Sequence, residues 1–243
     1  MATVETVRAW IAAARRVVAL TGAGISIDSG IPDFRGPRGL WTRNPEAEKM
    51  ATIQHYVADP EVRKRAWRTR LDSAAWQARP NAGHHALVAL ERRGQFDTLI
   101  TQNVDGLHQR AGSSPARVIE IHGTMREVTC LSCGDRAPTE RVLERLGTGE
   151  EDPACRSCGG ILKTATISFG QGLVAADLAR AEQAARRCDL LLAVGTTLAV
   201  WPIAGVVPLA KEDALADAVL REPIGELLPA IVGAAEPARS DSE

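Results

Sequence analysis

Four cysteines in the second half of the chain stand in two closely spaced pairs. Cys130 and Cys133 form the first pair, Cys155 and Cys158 form the second, and a glycine follows each pair. Two C-x2-C pairs supply the four thiolates of a closed, tetrahedral zinc site. Four buried thiols or a redox pair would not need this doubled spacing. The pattern therefore predicts a structural Zn²⁺ ion.

A single histidine, His122, lies eight residues before the first cysteine pair. Because four thiolates fill a tetrahedral site, the metal leaves no position for this histidine. Two interpretations remain: a histidine held in place by hydrogen bonds, or a general base, which its near-neutral pKa suits. Its position favours the base. The residue ends the strand-like segment "RVIEIHG", and ligands of open α/β sheets gather at the carboxyl ends of strands.

A glycine-containing loop, "TGAGISIDSGIPDFRG", follows the first predicted strand. Gly22 and Gly24 let the backbone approach a pyrophosphate, and the N–H groups of the following helix would face that charge. G-x-G alone is a weak pattern, because the third glycine of the standard fingerprint is absent. The continuation is more informative. Asp33, Phe34 and Arg35 place a carboxylate, an aromatic ring and a cation on one loop, more than a solvated surface loop requires.

Polar residues also follow two other predicted strands. Gln102, Asn103 and Asp105 come after one of them, and their amides and carboxylate suit ribose hydroxyls and a carboxamide. The turn after the other strand has small residues that suit a phosphate or a ribose, namely Gly195, Thr196 and Thr197. Three strand ends and His122 would then share one crevice. The pattern predicts a dinucleotide site that contains a base.

Alternating helices and strands must position these groups. Apolar spacing predicts an amphipathic helix over residues 4–16. Further on, "HHALVALERRG" is typical of a helix and "DTLITQNVD" of a strand, and "ADLARAEQAARR" and "CDLLLAVGTT" repeat this order. Continuous apolar strands imply a parallel sheet covered on both faces. The predicted fold class is α/β, with a Rossmann-like parallel sheet.

Two segments interrupt the alternation. One is polar and helical, with Trp67 and Trp76 as expected anchors, and the other contains the paired cysteines. We expect the two segments to form a small domain, inserted into the dinucleotide-binding domain, and a disordered tail at the end. The expected bounds are 1–42, 84–126 and 163–235 for the Rossmann-like domain, 43–83 for the helical insert, 127–162 for the zinc module and 236–243 for the tail.

Composition excludes several classes of protein. The 243 residues carry a formal net charge of -1, which leaves no electrostatic footprint for nucleic acid or an anionic membrane surface. No apolar run reaches the roughly 18–20 residues of a membrane span, and the N-terminus lacks the order of a signal peptide. We therefore expect a cytoplasmic protein whose five cysteines stay reduced.

The motifs resemble, in type and order, those of the sirtuins, the NAD-dependent protein lysine deacylases. The resemblance spans residues 17–209 and includes "GAGISIDSGIPDFRG", "QNVDGLH", "IHG", the cysteine pairs, "SFGQGL" and "GTTLAVWP". It implies removal of acyl groups, acetyl foremost, from protein lysines, with nicotinamide and O-acyl-ADP-ribose as products. Acylated-lysine proteins would be the partners, and NAD and Zn²⁺ the cofactors.

The resemblance also implies roles for individual residues. His122 would be the general base on a ribose hydroxyl, Asn103 would position water, and Asp105 would lie at the nicotinamide. The implied NAD contacts are Gly22, Ala23, Gly24, Ser26, Asp33, Phe34, Arg35, Gln102, Asn103, Val104, Asp105, Gly195, Thr196 and Thr197. The substrate backbone would add as a strand between residues 168–171 and 198–200. The expected substrate contacts are Trp67, Arg70, Ser168, Phe169, Gly170 and Val200.

The acyl preference has two interpretations. Sirtuins that favour succinyl or malonyl groups carry a Tyr-x-x-Arg pair in the helical insert. Here Trp67 and Arg70 keep the arginine of that pair without the tyrosine. An acidic acyl group is therefore an alternative hypothesis to acetyl, beside the interpretation of Arg70 as a solvated helix residue.

The chain departs from the sirtuin pattern after "GVVPLA". Sirtuins continue there into another sheet strand, whose asparagine helps hold the adenosine half of NAD. Here "KEDALADAVLREPIGELLPAIV" follows directly. We expect a sheet with one strand fewer and weaker NAD binding, because hydrogen bonds worth about 0.5–1.5 kcal/mol each are lost.

This departure keeps alternatives to the deacylase open. One is a catalytically weak or inactive scaffold that binds acyl-lysine peptides, and another is a mono-ADP-ribosyltransferase on the same framework. An ordinary dehydrogenase is disfavoured, because hydride transfer explains neither the "IPDFR" loop nor His122. The oligomeric state does not follow from the sequence.

Overall fold

The computed structural model describes residues 3–33, 39, 50–210 and 216–233. Its strands are β1 (Val17–Thr21), β2 (Phe96–Thr101), β3 (Val118–Glu120), β4 (Gly123–Cys130), β5 (Arg136–Pro138), β6 (Leu162–Thr166) and β7 (Leu190–Val194). Its α-helices are α1 (Val4–Ala13), α2 (Ile53–Ala58), α3 (Pro60–Leu71), α4 (Ala82–Arg92), α5 (Leu107–Ala111), α6 (Glu140–Gly147), α7 (Ala175–Arg187), α8 (Val206–Leu209) and α9 (Ile224–Val232). Short 3₁₀ helices span Ala23–Ser29, Ala74–Trp76 and Ile203–Gly205.

A four-stranded parallel sheet forms the centre of the molecule, in the order β3-β2-β1-β7. The central strand β1 is buried at every residue, as its continuous apolar sequence requires. Val17 and Ala19 face a core shared with α1, α4 and α9, whereas Val18 and Leu20 face a core shared with α7 and α8. The predicted α/β class with a parallel sheet covered on both faces is confirmed.

A second, antiparallel sheet in the order β5-β4-β6 carries the cysteines. The helical insert packs on it through Trp67, which is 1% exposed and lies in one cluster with Val128, Val142 and Leu162. The indole N–H of Trp76 donates to the backbone carbonyl of Arg70 at 2.6 Å. Both tryptophans therefore act as the anchors that the sequence predicted.

The sequence-based division into domains stays a prediction. The antiparallel sheet begins at Gly123 and ends at Thr166, so it extends on both sides of the expected zinc module. The expected tail, 236–243, and the first part of the expected insert, 43–49, lie outside the described residues.

The strand β7 is an edge of the parallel sheet. The described part of the connection between α8 and α9, residues 216–223, contains no strand, as the sequence predicted for this segment. An apolar groove therefore runs along the outer edge of β7. Its lining includes Trp10, Leu190, Val194, Ala218, Leu220, Ile224 and Leu227.

Among the described residues, no helix is both long enough and apolar enough to cross a membrane.

Candidate active site

A cavity of about 1510 Å³ opens at the carboxyl ends of β1, β2 and β7 and continues into the groove beside β7. The sequence predicted that three strand ends and His122 share one crevice, and the lining of this cavity confirms it. Phe34 and Arg35 lie outside the described residues. The predicted cofactor and catalytic residues that line the cavity are Gly22, Ala23, Gly24, Ser26, Asp33, Gln102, Asn103, Val104, Asp105, His122, Gly195, Thr196 and Thr197.

The turns after β1 and β7 touch through their backbones. The Gly22 amide donates to the Val194 carbonyl at 3.0 Å, and the Gly24 amide donates to the Gly195 carbonyl at 2.9 Å. A Cβ on Gly24 would lie 2.6 Å from the Cα of Gly195, whose own φ is +63°. These glycines are therefore required for contact between two backbones. The Gly24 amide is therefore not available to a phosphate, because it is already bonded to Gly195.

The loop after β2 is tied to the turn after β1 by side chains. Asn103 Nδ2 donates to the Gly22 carbonyl at 3.1 Å and to Ser26 Oγ at 3.2 Å. Ser26 Oγ donates in turn to Asp105 Oδ2 at 2.8 Å, and the Leu107 amide donates to Asp105 Oδ1 at 2.9 Å. Burial raises the pKa of Asp105, and the hydrogen bonds from Leu107 and Ser26 oppose that rise. With both oxygens bonded, the Asp105 carboxylate orders the loop.

A buried hydrogen-bonded group beneath this loop was not predicted from the sequence. Thr21 Oγ1 donates to Thr101 Oγ1 at 2.8 Å and lies 3.0 Å from His108 Nε2. Thr101 Oγ1 also accepts from the Asn103 amide at 3.1 Å. Burial lowers the pKa of His108 to about 3, so this histidine is neutral. Threonines at the carboxyl ends of two neighbouring strands were the signal in the sequence, since parallel strands bring such ends together.

His122 has the tautomer that a general base needs. Its Nδ1 lies 3.1 Å from the backbone carbonyl of Gln102, and because a carbonyl only accepts, Nδ1 carries the proton and Nε2 has a free lone pair. Gln102 Nε2 donates to Thr196 Oγ1 at 2.8 Å, which joins the loop after β2 to the turn after β7. Burial lowers the pKa of His122, against the smaller opposite effect of the bond to Gln102. The lowered pKa favours the neutral form of the ring.

The predicted substrate residues line the part of the cavity between the two sheets: Trp67, Arg70, Ser168, Phe169, Gly170 and Val200. Phe169 is 37% exposed, whereas Trp67 presents almost none of its surface because it belongs to the core beneath the cysteines. Gly170 has a φ of +84°, and a Cβ there would lie 2.6 Å from Gln54 Nε2 on α2. Contact of these residues with a substrate stays a prediction.

Two cationic side chains, Arg70 and Lys163, line the same part of the cavity as the predicted substrate residues. Among the described residues, neither has a carboxylate partner. Arg70 Nη2 donates to Thr164 Oγ1 at 3.4 Å, and Lys163 Nζ donates to the carbonyls of Thr164, at 3.1 Å, and Thr166. Burial, and then the charge of Arg70, lower the pKa of Lys163 to about 8. Burial also lowers the pKa of Arg70. Sequence reasoning missed Lys163, because only the fold places it beside Arg70.

The four paired cysteines form the cluster that their spacing predicted. Their sulfur atoms all lie within 4.8 Å of one another, and two of the separations are 3.5 Å and 3.8 Å. Tetrahedral zinc, with Zn–S bonds of about 2.3 Å, holds its sulfurs roughly 3.8 Å apart. The amides of Ser132 and Gly160 donate to two of the sulfurs at 3.4 Å, as expected for thiolate ligands. The donor set therefore fits Zn²⁺. Cys188 lies apart and donates to the Ala185 carbonyl.

Comparison with known proteins agrees with this arrangement. The model of the Sir2 family matches residues 22–202, and the chain belongs to this family. It is 51% identical over 231 residues to the NAD-dependent protein deacetylase 2 of Streptomyces coelicolor, across 89% of this chain and 96% of that protein. The alignment has 231 positions, which is more than the 89% of this chain's 243 residues that it includes. Some residues of that relative therefore have no counterpart in this chain.

Solved structures give the same result. The fold is similar to that of a Sir2 homologue in complex with NAD, with a TM-score of 0.81, 35% identity and coverage of 94% of this chain and 92% of that one. It is also similar to a Sir2 variant with a deacetylated peptide and 3′-O-acetyl ADP-ribose, with a TM-score of 0.77, 33% identity and coverage of 86% and 82%.

Loss of one metal ligand tests the structural role of the cluster. We expect Cys133→Ser to lower both the zinc content and the melting temperature, because a structural zinc site contributes directly to folding. Zinc content is measured by atomic absorption and unfolding by calorimetry. The control is Cys188→Ser, which we expect to keep the metal. Full zinc content in Cys133→Ser would contradict the assignment.

Proposed function

We propose that this chain is an NAD-dependent protein lysine deacylase that acts mainly on acetyl-lysine. The observation that carries the proposal is a neutral His122, with Nε2 free, in one cavity with Asn103 and the glycine turns after β1 and β7. The names of its deacetylase relatives support this reaction, and so do the NAD, peptide and acetyl ADP-ribose complexes of the similar structures.

NAD is consumed in this proposal, since it supplies the ribose carbon that accepts the acyl oxygen when nicotinamide leaves. The phosphates and the adenosine ribose lie along the turns at Gly22 and Gly195, and the nicotinamide end lies near Asn103 and Asp105. His122 then removes a proton from a ribose hydroxyl, whose oxygen attacks the acyl carbon. The lysine amine leaves, and water positioned by Asn103 adds to that carbon, so the products are free lysine and O-acyl-ADP-ribose. Acylated proteins are the partners, and the cytoplasm is the proposed location.

Two other functions follow from specific features. The open edge of β7 favours a scaffold that binds acyl-lysine peptides without turning over NAD, and the same cavity suits transfer of ADP-ribose to protein. The free Nε2 of His122 favours the deacylase over the scaffold, because peptide binding alone does not need a base. Labelled NAD distinguishes the third function, since in ADP-ribosyl transfer the label stays on protein.

Nicotinamide release tests the proposed reaction. We expect release from NAD to depend on an acetyl-lysine peptide and to fall by about a hundredfold or more in His122→Ala, because a positioned general base contributes at least that factor. Since the pKa of His122 is lowered and the base acts when neutral, activity should fall only as pH drops below the ordinary histidine range. His85→Ala, an exposed histidine on α4, is the control.

Each outcome separates the candidates. No release at saturating NAD, together with retained peptide binding, supports the scaffold. Peptide-independent release with label on the protein supports ADP-ribosyl transfer. Equal rates for His122→Ala and the unmodified protein would contradict the role of the base.

An acidic acyl group is a second candidate substrate. Arg70 and Lys163 place two positive charges beside the cavity, and among the described residues no carboxylate neutralises them. Burying such charges without a counter-ion is unfavourable, so a carboxylate at the end of the acyl chain would stabilise them. This observation favours Arg70 as a contact for a succinyl or malonyl group over its interpretation as a solvated helix residue.

Substitution of Arg70 tests this candidate. We expect Arg70→Met to lower the succinyl-to-acetyl ratio of kcat/KM by about tenfold, because a charge-assisted hydrogen bond is lost only for the acidic group. The matched control is Arg68→Met, an exposed arginine of the same helix that pairs with Glu151. An unchanged ratio in Arg70→Met would show that the arginine has no part in acyl selection.

The open edge of β7 predicts weak binding of the adenosine half of NAD. Because the described part of the connection between α8 and α9, residues 216–223, contains no strand to flank this half, we expect the Kd for NAD to be about tenfold or more above that of the Streptomyces coelicolor relative. Calorimetric titration of both proteins under one set of conditions measures the difference. Equal dissociation constants would show that residues 216–223 or another element replace the lost contacts.

A further inference from the structure

The loop after β2 is held by an arginine that the proposed reaction does not use. Arg126, on β4, donates from Nε and Nη2 to the backbone carbonyl of Asp105 at 3.2 Å and 3.1 Å. The next residue, Gly106, has a φ of +72°, and a Cβ there would lie 3.3 Å from Arg126 Nε. The guanidinium therefore lies close against the turn that follows Asn103 and Asp105.

The same guanidinium is also held from the helical insert. Its central carbon lies 5.0 Å from the centre of the Trp76 ring, within the range of a cation–π contact. Trp76 is fixed in turn by its indole N–H, which donates to the Arg70 carbonyl at the end of α3. Arg126 thus joins three parts of the molecule: the loop after β2, the helical insert and the sheet that carries the cysteines.

The backbone around Arg126 leaves little freedom for its side chain to shift. The Arg126 amide donates to Thr124 Oγ1 at 3.2 Å, and its carbonyl accepts from the Thr139 amide at 2.9 Å. The preceding residue, Met125, donates to the carbonyl of Val104 in the same loop at 2.9 Å. A rigid strand therefore presents the guanidinium to the loop.

Arg126 also affects the ionisation of Asp105, because its positive charge lowers the pKa of that carboxyl. Arg126 from β4 and Arg110 from α5 both lower the pKa of the Asp105 carboxyl against the effect of burial. Glu120, at the end of β3, is an acidic group in the same environment, and burial raises its own pKa. Removal of Arg126 would leave Arg110 as the one cation among the described residues that lowers the pKa of Asp105.

We propose that Arg126 is a positioning residue: it holds the Asn103–Asp105 loop in its NAD-binding geometry by donating to the Asp105 carbonyl while its guanidinium packs on Trp76. The proposal rests on the proposed deacylase function, because it assigns Arg126 an effect on NAD and not on the acyl peptide. Substitution of Arg126 should therefore change the kinetics of NAD and leave the affinity for the peptide alone.

Steady-state kinetics of Arg126→Met test this role. We expect kcat/KM for NAD to fall by about tenfold, since two charge-assisted hydrogen bonds to the loop are lost. The acid side of the pH profile of kcat/KM depends on both His122 and Asp105, and the part set by Asp105 should shift to higher pH, because Asp105 loses a cation that keeps it ionised. The Kd of an acetyl-lysine peptide, measured without NAD, should stay within about twofold.

Two further variants separate charge from geometry. Arg126→Lys keeps the positive charge but has neither the planar fork nor the flat face for Trp76, so we expect the part of the pH profile set by Asp105 to return to the original pH while kcat/KM for NAD recovers only in part. Arg136→Met is the matched control, because Arg136 is exposed on the neighbouring strand β5 and pairs with Glu127.

The outcomes distinguish this proposal from the proposed function. If the unmodified protein releases no nicotinamide, the deacylase assignment fails first. If the unmodified protein is active and Arg126→Met matches it in kcat/KM for NAD and in pH profile, the positioning role is wrong. If Arg126→Met does not fold, the kinetics of Arg126→Lys test the proposal instead. A kcat/KM for NAD in Arg126→Lys equal to that of the unmodified protein would overturn the positioning role of Arg126.

Discussion

The backbone contact between the turns after β1 and β7 is the constraint on which the site depends. The Gly24 amide bonds to the Gly195 carbonyl, and no side chain fits between these two backbone segments. Only neighbouring parallel strands bring two such turns to the same edge of a sheet. The Gly22 carbonyl is then in reach of Asn103, and Thr196 in reach of Gln102, so the contact of glycines sets the positions of side chains that come from β2.

Hydrogen bonds in the site determine the tautomer of His122 and the availability of the Asp105 oxygens. The Gln102 carbonyl determines which nitrogen of His122 is protonated, and the amide of Leu107 and the hydroxyl of Ser26 occupy the carboxylate of Asp105. His122 and Asp105 thus differ in their hydrogen bonding although both line one cavity. A neutral histidine with a free nitrogen acts on a substrate, whereas a carboxylate with both oxygens bonded orders the chain around it.

The small domain contributes to the site through contacts of its own. In the sheet that carries the cysteines, β4 runs from Gly123, beside His122, to Cys130, one of the four clustered cysteines, and Arg126 lies between them. The metal cluster is therefore part of the framework that holds the loop after β2. On the opposite side of the parallel sheet, no strand in the described part of the chain pairs with the outer edge of β7, and the groove along this edge is continuous with the cavity.

Residue types and their spacing predict much of the site. Cysteine spacing alone predicts the metal cluster, since four ligands at two short separations have one favourable arrangement around zinc. Apolar continuity predicts the parallel sheet, and polar residues after each strand predict the shared cavity. The absence of a β-branched run between α8 and α9 predicts a connection without a strand, and its described part, residues 216–223, contains none. These features depend on neighbours in the sequence, which is why local patterns reveal them.

Other features were decided by tertiary structure alone. The Gly24 amide bonds to the carbonyl of Gly195, which lies far away in the sequence. No local sequence pattern predicts that Lys163 lies beside Arg70 or that Arg126 lies between Asp105 and Trp76. The sequence by itself determined the types of chemical group and the strand ends at which they stand. Which group meets which depends on distances between remote segments, and only packing of the two sheets and their helices sets those distances.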